Sequence, residues 1–85
     1  MTNQERLKNW LVKKAGTIDI GLFIDRLKEA QQEELLDIAG YALHDIYLKQ
    51  ENYKVGGEYS TWSFLRKAAW EDAAQYVNRH CKKGE

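Results

Sequence analysis

Acid–base chemistry is the first chemistry that the residue types suggest, because a carboxylate, a phenol and an imidazole recur in one segment. Asp37, Tyr41 and His44 lie three or four residues apart, so a helix would place them on one face, one above another. Catalysis also needs a cleft, tuned pKa values and reacting groups on an opposite wall, and the sequence marks none of these. We therefore expect a solvated polar face with a half-exposed His44, and no catalytic residue.

Two further segments contain residue types found in metal or phosphate sites. His80 and Cys81 are adjacent and would point in different directions on a helix, and the chain has no second such pair, so we expect no metal site. The segment VGGEYST, residues 55–61, has glycines ahead of a predicted helix. It lacks both the P-loop lysine and the Rossmann glycine spacing. We interpret it as a turn and expect no cofactor.

Aromatic residues favour a binding function over catalysis, since large aromatic side chains supply much of the energy at protein interfaces. Trp10 and Trp62 fall on predicted inner helix faces, where we expect them to fill the core. Trp70 lies at the margin of such a face, whereas Phe64 lies outside it and has a local alternative in packing against Tyr59. The predicted partner-contact residues are Tyr41, Leu48, Tyr53, Phe64 and Trp70.

Size and composition indicate one folded domain spanning residues 1–85, with 44% hydrophobic and 31% charged residues. No apolar run approaches the ~20 residues needed to cross a bilayer, and the polar segment MTNQERLKNW does not resemble a secretory signal. The single Cys81 is typical of a reducing compartment rather than of a disulfide-stabilised secreted domain. These observations predict a cytoplasmic protein without membrane contact.

Charge is segregated along the chain although the formal net charge is zero. Residues 1–14 carry +3, residues 15–52 carry −5 and the remainder +2, a pattern that favours attraction between helices. A helix-turn-helix interpretation is disfavoured because the third predicted helix is acidic and would repel phosphates. An alternative remains open, in which a basic edge of the first and last helices binds nucleic acid through Lys13, Lys14, Arg66 and Lys67.

The elements that position these residues should be helices, because the chain contains no proline and most of its glycines fall between apolar stretches. The first helix is predicted over Asn3 to Ala15, with Thr2 as its cap and Gly16 at its end. The second should begin after Asp19 as N-cap and break near Gln31 and Gln32, where a short turn makes a helical hairpin.

The third helix, predicted over about Glu33 to Lys49, has the broadest apolar arc and should be central. Residues 50–59 lose the helical phase, and they include a short extended piece at 53–55 and a Gly56-Gly57 turn. Ser60 is predicted to cap the fourth helix, with Tyr59 and Phe64 packing against each other at its start.

The sequence therefore predicts an all-α, four-helix bundle in which the first and fourth helices pack their Trp-bearing faces against the third. As function it favours a non-enzymatic protein-interaction module, a small regulatory or accessory protein of bacterial or phage type. Such a module would act by binding a protein partner or by self-association into a homo-oligomer. Nucleic-acid binding by the basic edge is the alternative.

Overall fold

The computed structural model describes residues 1–55 and 59–81, and the side chains of residues 1–50 and 62–81. Four α-helices follow one another: α1 (Asn3–Ala15), α2 (Gly21–Glu29), α3 (Leu35–Val55) and α4 (Tyr59–His80). A 3₁₀ turn over Gln32–Glu34 connects α2 to α3. The described part of the chain contains no strand. The predicted all-α bundle of four helices is confirmed.

Helix α1 has the predicted bounds because a specific capping hydrogen bond forms at each of its ends. The Thr2 Oγ1 atom accepts a hydrogen bond from the Glu5 amide at 3.2 Å, which satisfies one of the orphan donors of the first turn. At the other end Gly16 adopts a positive φ of 62° and donates its amide to the Val12 carbonyl at 3.3 Å. Glycine takes that backbone conformation without steric cost.

The connection from α1 to α2 differs from the prediction at one residue. Ile20, not Asp19, occupies the N-cap position of α2. The Asp19 carboxylate instead accepts a hydrogen bond from the Gly21 amide, two residues ahead, at 2.9 Å. Asp19 therefore stabilises a local turn and does not cap the helix. The predicted break near Gln31 and Gln32 is confirmed by the 3₁₀ turn, at whose start the Gln31 amide donates to Glu34 at 2.9 Å.

The hairpin formed by α3 and α4 departs further from the prediction. Helix α3 continues to Val55 rather than ending at Lys49, so the predicted extended piece at 53–55 is wrong. No proline or glycine interrupts residues 41–55, so the local sequence contains no residue that would end the helix at Lys49. Helix α4 begins at Tyr59, so Ser60 lies inside it and is not its cap. The predicted Gly56-Gly57 turn lies outside the described residues, and the predicted Tyr59–Phe64 packing depends on the Tyr59 side chain, which lies outside the described side chains.

The core is built around α3, which contacts each of the other three helices. Large aliphatic side chains from α1, α2 and α3 meet there, whereas α4 contributes mainly small ones. The fully buried residues include Leu7, Leu11, Leu27, Leu35, Leu43, Ile46, Ala69 and Ala73. The small side chains of Ala69 and Ala73 let the α3 and α4 backbones approach closely, so the two helices form a tightly packed pair.

Polar contacts close the end of the bundle where α1 begins and α4 ends. Asn3 donates to the Gln32 side chain at 2.8 Å, and Gln32 in turn donates to the Cys81 carbonyl. Cys81 is buried, 1% exposed, and its thiol faces the Asn3 carbonyl at 3.9 Å. Burial raises the pKa of that thiol, while the neighbouring Arg6 lowers it to a lesser extent. Cys81 therefore serves packing rather than reactivity.

Candidate docking groove between α3 and α4

A surface groove of about 510 Å³ lies between α3 and α4, on a part of the pair where both helices present aromatic and charged side chains. We call it the α3–α4 groove; its lining residues are Asp37, Tyr41, Ser63, Arg66, Lys67 and Trp70. Two of the five predicted partner-contact residues, Tyr41 and Trp70, meet there. Their rings form an edge-to-face pair with centroids 4.9 Å apart, a favourable geometry for aromatic side chains.

Trp70 lies in this groove because Gly40 has no side chain. A Cβ atom at position 40 would lie 2.5 Å from the indole Cε2 and 2.7 Å from Cδ2 of Trp70. Real Cβ atoms do not approach ring atoms that closely. The glycine therefore lets the indole lie directly against the α3 backbone and pack against the core. The result is a half-buried tryptophan with a fixed orientation.

Arg66 lies between two tryptophans spaced four residues on either side of it along α4. Its guanidinium carbon is 5.6 Å from the ring centroid of Trp62 and 5.4 Å from that of Trp70. Both distances are within the range of cation–π attraction. Since i and i+4 side chains share a helix face, the spacing of 62, 66 and 70 produces this arrangement directly. It orients a cation in the groove wall.

His44 lies beneath these indoles, which corrects the expectation of a half-exposed histidine on a solvated face. The residue is 8% exposed, with its ring 5.0 Å from Trp62 in an edge-to-face arrangement and 6.4 Å from Trp70. Its Nε2 atom is buried and has no hydrogen-bond partner among the described residues. Asp37 remains exposed on the same stripe of α3. The imidazole thus packs as part of the aromatic cluster and does not face the groove.

Tyr41 stands between the α3–α4 groove and a second one. This second groove, which we call the α2–α3 groove, lies between α2, the 3₁₀ turn and α3 and has a volume of about 480 Å³. Its lining residues are Arg26, Glu29, Ala30, Glu34, Asp37, Ile38 and Tyr41. The two grooves share Asp37 and Tyr41. Tyr41 is 49% exposed, so its ring forms a ridge with a groove on each side.

The other predicted partner-contact residues do not join this cluster. Leu48 is half-buried on α3. Phe64 is 71% exposed on α4 and is not among the residues that line the α3–α4 groove. The side chain of Tyr53 lies outside the described ones. Sequence reasoning did not identify Gly40, and it assigned Arg66 only to nucleic acid and Trp62 only to the core. The i, i+4 spacing of Trp62, Arg66 and Trp70 was the available signal.

The four residues of the predicted basic edge do not lie together in one groove. Arg66 and Lys67 belong to the α3–α4 groove. Lys14 lines a third groove of about 210 Å³ between α1 and α4, which we call the α1–α4 groove. Its lining residues are Trp10, Lys14, Asp72, Gln75, Tyr76, Arg79 and His80. Lys13 is exposed near the end of α1.

The α1–α4 groove is organised by two stacked rings. Trp10 and Tyr76 lie 4.3 Å apart and nearly parallel, and the Lys14 ammonium is 5.9 Å from the Trp10 ring. The Tyr76 hydroxyl donates to the Arg6 carbonyl at 3.1 Å. Burial is the main cause of its raised pKa, to which Cys81 adds and which Arg6 opposes. Half-buried Trp10 thus joins α1 to α4, in line with its predicted packing role.

Within residues 1–55 and 59–81, no helix is long and apolar enough to cross a membrane. The same part of the chain has no cluster of three or more His, Cys, Asp or Glu residues arranged to hold a metal ion. The chain matches no protein-family model, no curated protein and no solved structure.

Proposed function

We propose that this protein is a non-enzymatic protein-interaction module that binds its partner through the α3–α4 groove. The observation that carries the proposal is the exposed Tyr41 ring against the half-buried Trp70 indole, with Arg66 oriented beside it. Tryptophan, tyrosine and arginine dominate the energetics of many protein interfaces. Trp70 is held against the backbone at Gly40, so it loses little conformational freedom on binding. The Trp70 side of this groove is therefore pre-organised for a partner.

The positions of the two histidines support a non-enzymatic role. His44 is covered by the indoles of Trp62 and Trp70, and His80 is an exposed residue of the α1–α4 groove. Asp37 and Tyr41 share a groove, but the buried His44 imidazole does not join them there, so the three acid–base groups of the α3 stripe do not meet as catalysis would need. We propose a regulatory or accessory role, in the cytoplasm of a bacterium or of a phage-infected cell.

Site-specific photo-crosslinking in cells tests the proposed function. A photoreactive phenylalanine analogue placed at position 41 should yield a covalent adduct with a protein partner, because Tyr41 lies at the groove. The same analogue at position 64 is the matched control, since Phe64 is an exposed aromatic residue of α4 that does not line the groove. Absence of an adduct at 41, or the same adducts with equal yield at 64, would contradict the proposal.

A substitution separates binding from folding. Tyr41→Ala should reduce adduct formation from a second crosslinker, placed at Ser63 in the same groove. It should lower the free energy of unfolding by only about 0.5–1.5 kcal/mol, the usual value of an aromatic pair such as the one with Trp70. Trp70→Ala is unsuitable for this purpose because the indole also packs against the core. Phe64→Ala should leave both quantities unchanged.

Nucleic-acid binding is a second candidate, favoured by the α1–α4 groove. Lys14 and Arg79 line this groove together with the stacked rings of Trp10 and Tyr76 and one carboxylate, Asp72, and cations beside aromatic rings are the elements used to bind single strands. Fluorescence anisotropy with a labelled single-stranded oligonucleotide should then show affinity falling steeply with salt. Lys14→Gln should weaken binding, whereas Lys67→Gln, in the other groove, should not. Salt-independent or absent binding would reject this candidate.

A further inference from the structure

The two grooves beside Tyr41 have walls of opposite charge. On the α4 side the α3–α4 groove is lined by Arg66 and Lys67. On the other side of Tyr41, the α2–α3 groove is lined by Glu29 and Glu34, with Arg26 as the one cation among its described lining residues. The exposed face therefore has a basic edge, a centre formed by Tyr41, Trp70 and the Asp37 carboxylate that both grooves share, and an acidic edge. A partner for this face needs the same three zones in reverse order.

A second copy of this chain meets that requirement. We propose that the α3–α4 groove is the centre of a homodimer interface, with a two-fold axis that passes close to Tyr41 and runs alongside α3. That rotation places the α4 edge of each copy opposite the α2 edge of the other. The inference depends on the proposed function, because it names the partner that occupies the same groove.

Two-fold symmetry lets one surface patch form both sides of the interface. A two-fold interface uses the same patch on both subunits, so the patch must be complementary to itself. Here Lys67 of one copy approaches Glu29 of the other, and the rotation repeats that contact once more. The central ridge at Tyr41 fits into a groove of the opposite copy, as ridges pack into grooves between helices. The formal net charge of zero adds no overall repulsion between copies.

Charge reversal provides the test, because Lys67 and Glu29 are both exposed and neither forms an ion pair within the described chain. We expect sedimentation of the purified chain to show a concentration-dependent dimer. Lys67→Glu should weaken it roughly tenfold or more, since each dimer turns two attractions into two repulsions. Glu29→Lys should weaken it equally. Circular dichroism should show that both variants keep the native helical content.

Mixing the two variants is the decisive step. In a mixed dimer, the carboxylate introduced at position 67 of one variant faces the ammonium introduced at position 29 of the other. At the opposite edge, native Glu29 faces native Lys67. The mixture should therefore dimerise at least as strongly as the unaltered chain, although each variant alone does not. Lys8→Glu, an exchange on α1 away from both grooves, should leave the dimer of the unaltered chain unchanged.

Three results would overturn the inference: a monomer for the unaltered chain at the highest concentration that stays in solution, a dimer insensitive to both reversals, or no rescue on mixing. These results are distinguishable from failure of the proposed function. A monomeric chain whose position-41 crosslinker captures a different protein would retain the interaction module and reject the homodimer. An adduct of twice the mass of the chain would support both.

Discussion

At the scale of single residues, Gly40 and Trp70 show how one missing side chain can determine the shape of a surface. Glycine inside a helix usually costs about 1 kcal/mol relative to alanine, so propensity alone predicts that Gly40→Ala stabilises α3. The geometry predicts the opposite, because the new Cβ would overlap the Trp70 indole at 2.5 Å. The steric effect is larger than the propensity effect here.

We expect Gly40→Ala to lower the free energy of unfolding by about 1–3 kcal/mol, the usual cost of overpacking. Urea titration followed by circular dichroism measures this change. In a Trp70→Ala background the same substitution should be neutral or stabilising, since the clash is removed and only the helix propensity remains. Equal destabilisation in both backgrounds would show that Trp70 is not the cause.

Tyr47 provides a prediction about pH. Its hydroxyl donates to the Asp72 carboxylate at 2.6 Å, and burial together with that carboxylate raises its pKa well above the ordinary value of 10.0. The folded state therefore favours the protonated phenol. This contribution to stability is complete below pH 10.0 and is lost as the pH rises above the ordinary pKa towards the raised one.

The unaltered chain should accordingly lose more unfolding free energy than Tyr47→Phe when the pH rises from about 9 to about 11. At neutral pH the variant should be less stable by about 1.5–3 kcal/mol, the usual value of a hydrogen bond to a charged group. Paired urea titrations at the two pH values measure both effects, and the remaining ionisable groups are common to both proteins. Parallel pH profiles would contradict the role assigned to Tyr47.

At the scale of the elements, helix ends with specific side-chain contacts are the parts that local chemistry determines. Helix α1 begins after a threonine whose hydroxyl accepts a backbone amide, and it ends at a glycine with positive φ. Helices α3 and α4 behave differently, since their facing ends at Val55 and Tyr59 lie beyond the predicted bounds. Tertiary pairing extends helices where no proline intervenes.

Thr2→Ala should destabilise the protein by about 1 kcal/mol, because it removes the hydroxyl that accepts the Glu5 amide. Thermal unfolding measures the loss as a lower melting temperature. Thr17→Ala is the matched control, an exposed threonine between α1 and α2 whose side chain caps no helix in the described chain. An equal decrease for both variants would argue against a specific capping contribution.

At the scale of the whole molecule, α3 makes the four helices one cooperative unit. The buried leucines of α1, α2 and α3 form a single cluster with the alanines of α4, and α1 also reaches α4 through Trp10 and Tyr76. No helix has a separate core of its own among the described residues. A protein built in this way should unfold in one step.

We therefore expect urea unfolding curves from circular dichroism and from tryptophan fluorescence to coincide at one protein concentration. The tryptophans report on α1 and α4, whereas circular dichroism reports on all helices. A fluorescence transition at lower urea would show that the packing around the tryptophans is lost before the helices unfold, and would contradict one-step unfolding. The proposed homodimer adds one expectation: a dimer that forms only from folded chains would make the midpoint rise with protein concentration.

The sequence by itself determined the all-α class, the bounds of α1, the break at Gln31 and Gln32, and the central position of α3. These features depend on local rules of capping, proline absence and helical periodicity, which act within a few residues. It also identified Tyr41 and Trp70 as candidates, because both lie at or beyond the margin of an apolar face. Local spacing is sufficient for such assignments.

Only the tertiary structure decided which of these residues meet. Gly40 and Trp70 are thirty positions apart, and nothing local to either indicates that one makes room for the other. The burial of His44 likewise follows from α4, whose Trp62 and Trp70 cover a stripe that α3 alone would leave in water. Contacts between distant segments depend on how the helices dock, and docking depends on packing of whole faces rather than on the residues next to each position.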